Sequence, residues 1–262
     1  MNDLGIQTTE WAFIEKVEDV SKNKDLLPGI LKTNTLGYDG HGQFVLNSLD
    51  DIKKDWCFTA DYILEKKVDL MKEISVILTR YQNGAMSIYE PIENMHKNQI
   101  LKHSKIPAEI NDKINKEALE SAKKIAERLN YVGTMAVEYF INKNNDLLLN
   151  EIAPRVHNSG HLTINAFNIS QFEGHVRAVC NLENIAVGKN LKAAEMINIL
   201  SANGLINIAE AIDYGGGYGT LSKILNKYLS PQEIIYYHLD SMIIKRYDYE
   251  TLGNINNEFT HR

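Results

Sequence analysis

The chain has 262 residues, 44% of them hydrophobic and 24% charged, with a formal net charge of −6. Such proportions match soluble globular domains, provide apolar surface for one large or two modest cores, and exclude a disordered chain. The acidic balance gives no footprint for nucleic acid, and no apolar run is long enough to span a bilayer.

The opening MNDLGIQTTEW lacks a basic segment followed by an apolar one, so a cytoplasmic protein with no membrane partner is expected. From about Trp11 to Thr79 a short helical pattern alternates with β-rich runs at Gly29 to Thr33, Gln43 to Leu46, Tyr62 to Glu65 and Glu73 to Thr79. Strand-like pieces continue from Ala85 to Ser104. Between Pro107 and Asn130, Ile110, Ile114, Ala118, Ala122, Ile125 and Leu129 recur at three- or four-residue steps, which predicts a helix with one buried stripe. Two strands follow, Thr134 to Ile141 and Leu147 to Ile152, joined by the turn-rich run Asn142 to Asp146. A second helix is expected from near Ser159 to Cys180, then a smaller α/β tail with a turn at Gly215, Gly216 and Gly217. Cys57 and Cys180 lie in no metal-binding spacing and read as packing thiols.

The hairpin carries the first chemical clue. A turn centred between Asn144 and Asn145 sets Glu138 opposite Glu151 on one face of the sheet. Facing carboxylates repel unless a cation bridges them or one holds a proton, and paired hard oxygens suit nucleotide-bound Mg²⁺. A glutamate salt-bridged to a lysine on a wet face is the plainer alternative.

Three further strings carry candidate residues. In LKTNTLGYDGHGQ, Lys32 is followed by Gly37, Gly40 and Gly42, a pattern that cradles phosphates or simply makes a turn; it fits neither the P-loop nor the dinucleotide fingerprint. In NEIAPRVHNSGH, Arg155, His157, Asn158 and Ser159 precede a helix whose N-terminus favours an anion, although Asn158 or Ser159 also reads as an ordinary N-cap. The pair His157 and His161 lacks the glutamate and third ligand of a zinc site. Glu65 and Glu73 bracket a bend, and His96 lies in YEPIENMHKN.

Together these strings, with YILEKKVDLMKEISVI, PIENMHKNQIL, VGTMAVEYFINKNNDLLLNEIAPRVHNSGH and SQFEGHVRAV, resemble the N5-carboxyaminoimidazole ribonucleotide synthetases, ATP-grasp enzymes of purine biosynthesis. The resemblance implies an α/β (α+β) ATP-grasp fold: a lid subdomain over 1–84, a central antiparallel-sheet subdomain with the metal site over 85–190, and a small C-terminal α/β domain over 191–262. It implies an ATP-dependent ligase that uses bicarbonate to carboxylate 5-aminoimidazole ribonucleotide through carboxyphosphate.

By the same resemblance Lys32 and the loop Gly37, Tyr38, Asp39, Gly40, His41, Gly42 and Gln43 hold the ATP phosphates. Glu65, Lys66, Lys67 and Val68 form the hinge beside adenine, Glu73 meets the ribose, and His96 assists at the nucleotide. Glu138 and Glu151 ligate Mg²⁺, with Mn²⁺ as an alternative, beside Asn150. Arg155, His157 and Asn158 line the bicarbonate and carboxyphosphate region.

Measured against the family, the chain is expected to lack the N-terminal α/β domain, to need that half from a separately encoded polypeptide or from an upstream start codon, and to form a homodimer. The family's basic C-terminal segment reads SMIIKRYDYETLGNINN here, with Lys245 and Arg246 out of register and Glu250, Thr251 and Asn254 at the altered positions. Leu36 and Val156 replace the family's glycine and proline. Two other readings stay open: a non-catalytic ATP-binding remnant, and another ATP-grasp carboxylate–amine ligase.

Overall fold

The computed structural model describes residues 2–33, 42–52, 61–97, 100–198, 233–236 and 245–248. Their elements are β1 (Trp11–Ile14), α1 (Val17–Lys22), β2 (Gly29–Thr33), β3 (Gln43–Leu46), β4 (Tyr62–Lys66), β5 (Leu70–Arg80), β6 (Met86–Ile88), β7 (Ile92–Lys97) and β8 (Ile100–Ile106). Then come α2 (Asp112–Leu129), β9 (Gly133–Asn142), β10 (Leu147–Ala153), α3 (Thr163–Ala166), α4 (Gln171–Val179), β11 (Ala194–Ile197), β12 (Glu233–Tyr236) and β13 (Lys245–Asp248). The chain divides into two compact units, Met1–Met196 and Ile197–Arg262; in the second, β12 and β13 pair antiparallel.

A four-stranded sheet, ordered β1-β4-β2-β3, opens the first unit. Alternation sends Ile14, Leu31, Leu46 and Leu64 to one face, where they bury Val20 of α1 and Leu26 beside it. Lys32 and Glu65, one step out of phase with Leu31 and Leu64, therefore belong to the opposite face.

The larger sheet runs β10-β9-β5-β7-β8-β11, with β6 pairing β5. Its long strand β5 pairs with β9 from Leu70 to Arg80, so the expected division at residue 84 cuts through this sheet. The change of sheet falls instead in the short connection between Lys66 and Leu70.

Helix α2 covers one face. Asn111 caps it by accepting from the Ile114 N–H, which starts the helix five residues after Pro107 rather than at it, and Asn130 ends it with a left-handed φ of 48°. Ile114, Ala118, Ala122, Ile125 and Ala126 pack on Ile74, Val76, Leu78, Val137, Tyr139 and Ile141, whereas the last stripe residue, Leu129, is half exposed.

The other face packs Ile77, Ile92 and Ala136 against Leu162, Ala166 and Phe167. Here the single helix expected from Ser159 to Cys180 is broken: a 3-10 turn (Asn158–Leu162) leads into α3, then Phe167 turns extended and α4 begins anew. Side-chain bonds, one a local cap and two reaching a segment some twenty residues on, cause the break. Ser170 caps α4 by accepting from the Glu173 N–H, and Asn168 bonds the Gly188 N–H and the Ala186 carbonyl.

Candidate functional site

The β9–β10 hairpin begins in a different register from the expected one. Asn145 donates its N–H to the Asn142 carbonyl and takes φ 62°, so the turn is centred on Asn144. Leu147, Leu148 and Leu149 then pair with Ile141, Phe140 and Tyr139. Continued unbroken, that ladder sets Glu151 opposite Val137, on the face buried beneath α2. A β-bulge at Asn150 adds one residue, and Glu151 pairs with Glu138 instead. The two carboxylates do face each other, and the bulge is the cause.

Glu138, Ser75 and Glu73 follow one another across this face, since Ser75 pairs with Glu138 and Glu73 lies two residues along β5. Glu138 accepts from Asn150 Nδ2 at 3.4 Å, and its Oε1 lies 3.5 Å from His157 Nε2. Burial, followed by repulsion from Glu151 and Glu73, pushes the Glu138 carboxyl up to about 7 against the pull of His96. Glu73 hydrogen-bonds His96 through Nδ1. Burial alone depresses that imidazole, but the Glu73 bond and the charges of Glu73, Glu138 and Glu151 outweigh it and raise its pKa.

Over this face lies the segment after β10. Gln171, fully buried, clamps His157 at both backbone groups, accepting from its N–H at 2.9 Å and donating to its carbonyl at 2.7 Å. His157, rather than Asn158 or Ser159, caps the 3-10 turn, its ring accepting from the Ser159 N–H. Burial, then the charges of Arg155, His161 and His96, pull His157 down to about 4. Asn158 opens the 3-10 turn, and Arg155 is exposed with Nη1 donating to the Val156 carbonyl. His161 lies against Phe172, ring centroids 5.5 Å apart, and burial lowers its pKa. Among the described residues no three of His, Cys, Asp and Glu converge on a metal position.

A buried polar chain runs beneath the carboxylates. Ser104 Oγ donates to Asn94 Oδ1 at 2.7 Å, Asn94 Nδ2 to Ser75 Oγ at 2.9 Å, and Ser75 Oγ to Ser159 Oγ at 2.8 Å. Ser159 Oγ lies 2.9 Å from His157 Nδ1. Sequence reasoning missed Ser75, Asn94, Ser104 and Gln171; the first three carry one signal, a small polar side chain in phase with an apolar strand face, and Gln171, the first residue of α4, carries none.

On the smaller sheet Lys32 Nζ and Glu65 Oε2 meet at 2.6 Å as diagonal neighbours on β2 and β4. Lys66 pairs with Glu10, Lys67 N–H bonds the Pro28 carbonyl, and Val68 lies in the connection to β5. Gly42 has φ 81°, its carbonyl accepting from the Thr33 N–H, and Gln43 begins β3 opposite Lys32. Gly37, Tyr38, Asp39, Gly40 and His41 lie outside the described residues, as do Leu36, Cys57, the Gly215 to Gly217 turn and Glu250, Thr251 and Asn254. Lys245 and Arg246 fall in β13.

Residues 1–172 match the model of the ATP-grasp domain family. A relative from Brucella melitensis, N5-carboxyaminoimidazole ribonucleotide synthase, is 43% identical over 188 residues, 70% of this chain and 52% of its own. A solved ADP complex of N5-carboxyaminoimidazole ribonucleotide synthetase superposes with TM-score 0.74 at 33% identity, covering 94% of this chain and 63% of that one. The Aspergillus clavatus N5-carboxyaminoimidazole synthase, solved with ADP and 5-aminoimidazole ribonucleotide, gives 0.68 at 26% identity, covering 94% and 64%. The chain thus spans about half the length of the curated relative.

Proposed function

The chain belongs to the ATP-grasp family, among relatives of the N5-carboxyaminoimidazole ribonucleotide synthases, and from this we propose that it serves the ATP- and bicarbonate-dependent carboxylation of 5-aminoimidazole ribonucleotide. The observation that carries the reading is the Glu138–Glu151 pair, two carboxylates set face to face at a site where one of them is largely buried.

The donor set fits a divalent cation. A carboxyl pushed up to about 7 by burial and then by its acidic neighbours is a poor bare anion, and a cation between the pair removes the repulsion that burial magnifies. With no third His, Cys, Asp or Glu converging on the pair among the described residues, Glu138 and Glu151 would hold Mg²⁺ and leave its remaining positions to phosphate oxygens and water. Mn²⁺ accepts the same oxygens. Bound there, the metal neutralises phosphoryl charge.

The remaining work is positioning. Lys32, held toward the ligand face by Glu65, meets phosphate oxygens together with the loop through Gly42 and Gln43. The connection from Glu65 to Val68 serves as the adenine hinge, and Glu73, braced by His96, accepts from the ribose. Arg155, His157 and Asn158 surround the bicarbonate, whose oxygen attacks the γ-phosphorus as ADP leaves. The carboxyphosphate so formed passes its carboxyl group to the aminoimidazole amine and releases phosphate, and the covered face of the large sheet shields it from water. The lid comprises the small sheet and the catalytic subdomain the large one.

Phosphate release from Mg-ATP with bicarbonate, with and without 5-aminoimidazole ribonucleotide, tests the reading. Stimulation by the nucleotide is expected, and Glu151→Gln should abolish turnover while leaving the circular dichroism spectrum unchanged. Full turnover in that variant would remove the carboxylate pair from the mechanism.

A further inference from the structure

The polar chain beneath the site has a direction. Ser75, Ser104 and Ser159 are fully buried and Asn94 is 6% exposed, so each hydroxyl proton, and one proton of the Asn94 amide, goes to a neighbour in the chain rather than to solvent. Two directions satisfy the side chains alone. In one, protons point from Ser104 through Asn94, Ser75 and Ser159 to His157 Nδ1. In the other, Nδ1 carries the proton, every hydroxyl turns round, and the Asn94 amide is reversed.

The backbone decides between them. The Ser159 N–H also points at His157 Nδ1, at 3.4 Å, and a peptide N–H cannot become an acceptor. A protonated Nδ1 would set N–H against N–H, whereas an unprotonated Nδ1 accepts from both the backbone and the Ser159 hydroxyl. Gln171 fixes the ring's position by holding the His157 peptide groups on either side.

We infer that the Ser159 peptide N–H, with the ring held in place by Gln171, fixes His157 as the neutral tautomer with its single proton on Nε2, directed at Glu138, and that the chain through Ser104, Asn94, Ser75 and Ser159 takes its direction from that N–H. An imidazole so held has no lone pair on the side that faces the carboxylates. It orients oxygen atoms as a hydrogen-bond donor and takes no proton from a substrate. The distance of 3.5 Å from Nε2 to Glu138 Oε1 leaves room for the donor to be shared with an incoming anionic oxygen. The tautomer rests on the protein's own bonds; its bearing on phosphoryl transfer rests on the proposed function.

Long-range proton–nitrogen NMR on the full chain with ¹⁵N-labelled histidine, without nucleotide, reads the tautomer directly. His157→Gln identifies the His157 signals by their loss. In the wild type, Nδ1 should show the shift of an unprotonated ring nitrogen and Nε2 that of a protonated one. Ser159→Ala keeps the peptide N–H and should keep the Nε2–H tautomer, whereas Ser159→Pro removes that N–H and should lower the Nε2–H to Nδ1–H ratio about fivefold, the worth of a single hydrogen bond.

A wild-type His157 protonated on Nδ1 overturns the inference whether or not any variant folds, and so does a ratio unchanged in Ser159→Pro. The expected tautomer in a protein that releases no phosphate from Mg-ATP would leave the relay standing and refute the proposed activity alone.

Discussion

Glu138 and Glu151 are cross-strand partners because Asn150 stands as an extra residue between Leu149 and Glu151. Inserting one alanine between Asn150 and Glu151 should carry Glu151 opposite Val137, on the face covered by α2, where an unpaired carboxylate costs several kcal/mol. Calorimetric titration with a Mg-bound ATP analogue is expected to show no binding, and the thermal midpoint should fall. Asn150→Gly keeps the bulge and loses only the amide contact to Glu138, so its affinity should stay within a few-fold of wild type. Equal binding by the two variants would dismiss the facing of the two carboxylates as the basis of the site.

The pH dependence of stability follows from opposed titrations. Glu138 has its folded pKa raised from 4.5 to about 7, so the folded state binds the extra proton and stability falls as pH rises through that interval. The full penalty above pH 7 is on the order of 3 kcal/mol. His157 is lowered from 6.5 to about 4, so its contribution rises as pH climbs through that interval and largely offsets the carboxyl between about 4.5 and 6.5. Above 6.5 the fall is unopposed, and His96, raised, adds to it. Urea midpoints should therefore drop from pH 6.5 to 8 in metal-free protein and recover with Mg²⁺ and nucleotide. Glu138→Gln should show instead a rise from pH 4.5 to 6.5.

Lys32 and Glu65 meet on the partly accessible face of a thin sheet, where an ion pair contributes about 0–1 kcal/mol. Lys32→Met should thus shift the denaturation free energy by less than about 1 kcal/mol while weakening ATP affinity at least tenfold. Unaltered affinity in a fluorescence titration would take the lysine out of the phosphate site.

At Gly160 an added Cβ would sit 2.2 Å from Gln171 Oε1. The long side chain can swing aside, but only by releasing the His157 peptide groups that it holds. Gly160→Ala is expected to cut turnover at least tenfold while costing about 1–3 kcal/mol of stability for the unsatisfied groups. A stability loss with turnover intact would show that the clamp is structural alone.

Elements set by short-range rules were legible in the sequence: the α2 stripe, the hairpin strands and the alternation that buries Leu31 and Leu64. Two features were not. The bulge at Asn150 depends on how Leu149 and Ile152 settle against the core beneath α2, and no spacing in the string announces it. The break at Phe167 to Ser170 depends on Asn168 reaching Gly188 and Ala186, twenty residues on, while the apolar rhythm from Leu162 to Val179 reads as one helix. Of the site, the ionisable residues could be named in advance, whereas Ser75, Asn94, Ser104 and Gln171 acquire meaning only once folding joins four separate segments around His157.

Strand β10 ends the large sheet, and its outer border is touched by the N-terminal segment at one point, where the Leu149 N–H bonds the Gln7 carbonyl and Thr8 bridges alongside. A tether one residue wide guards a border seven residues long, so removing the first eight residues bares a template for a second copy to join strand to strand. Light scattering should then register self-association below the melting temperature, with the strand that carries Glu151 as the point of adhesion.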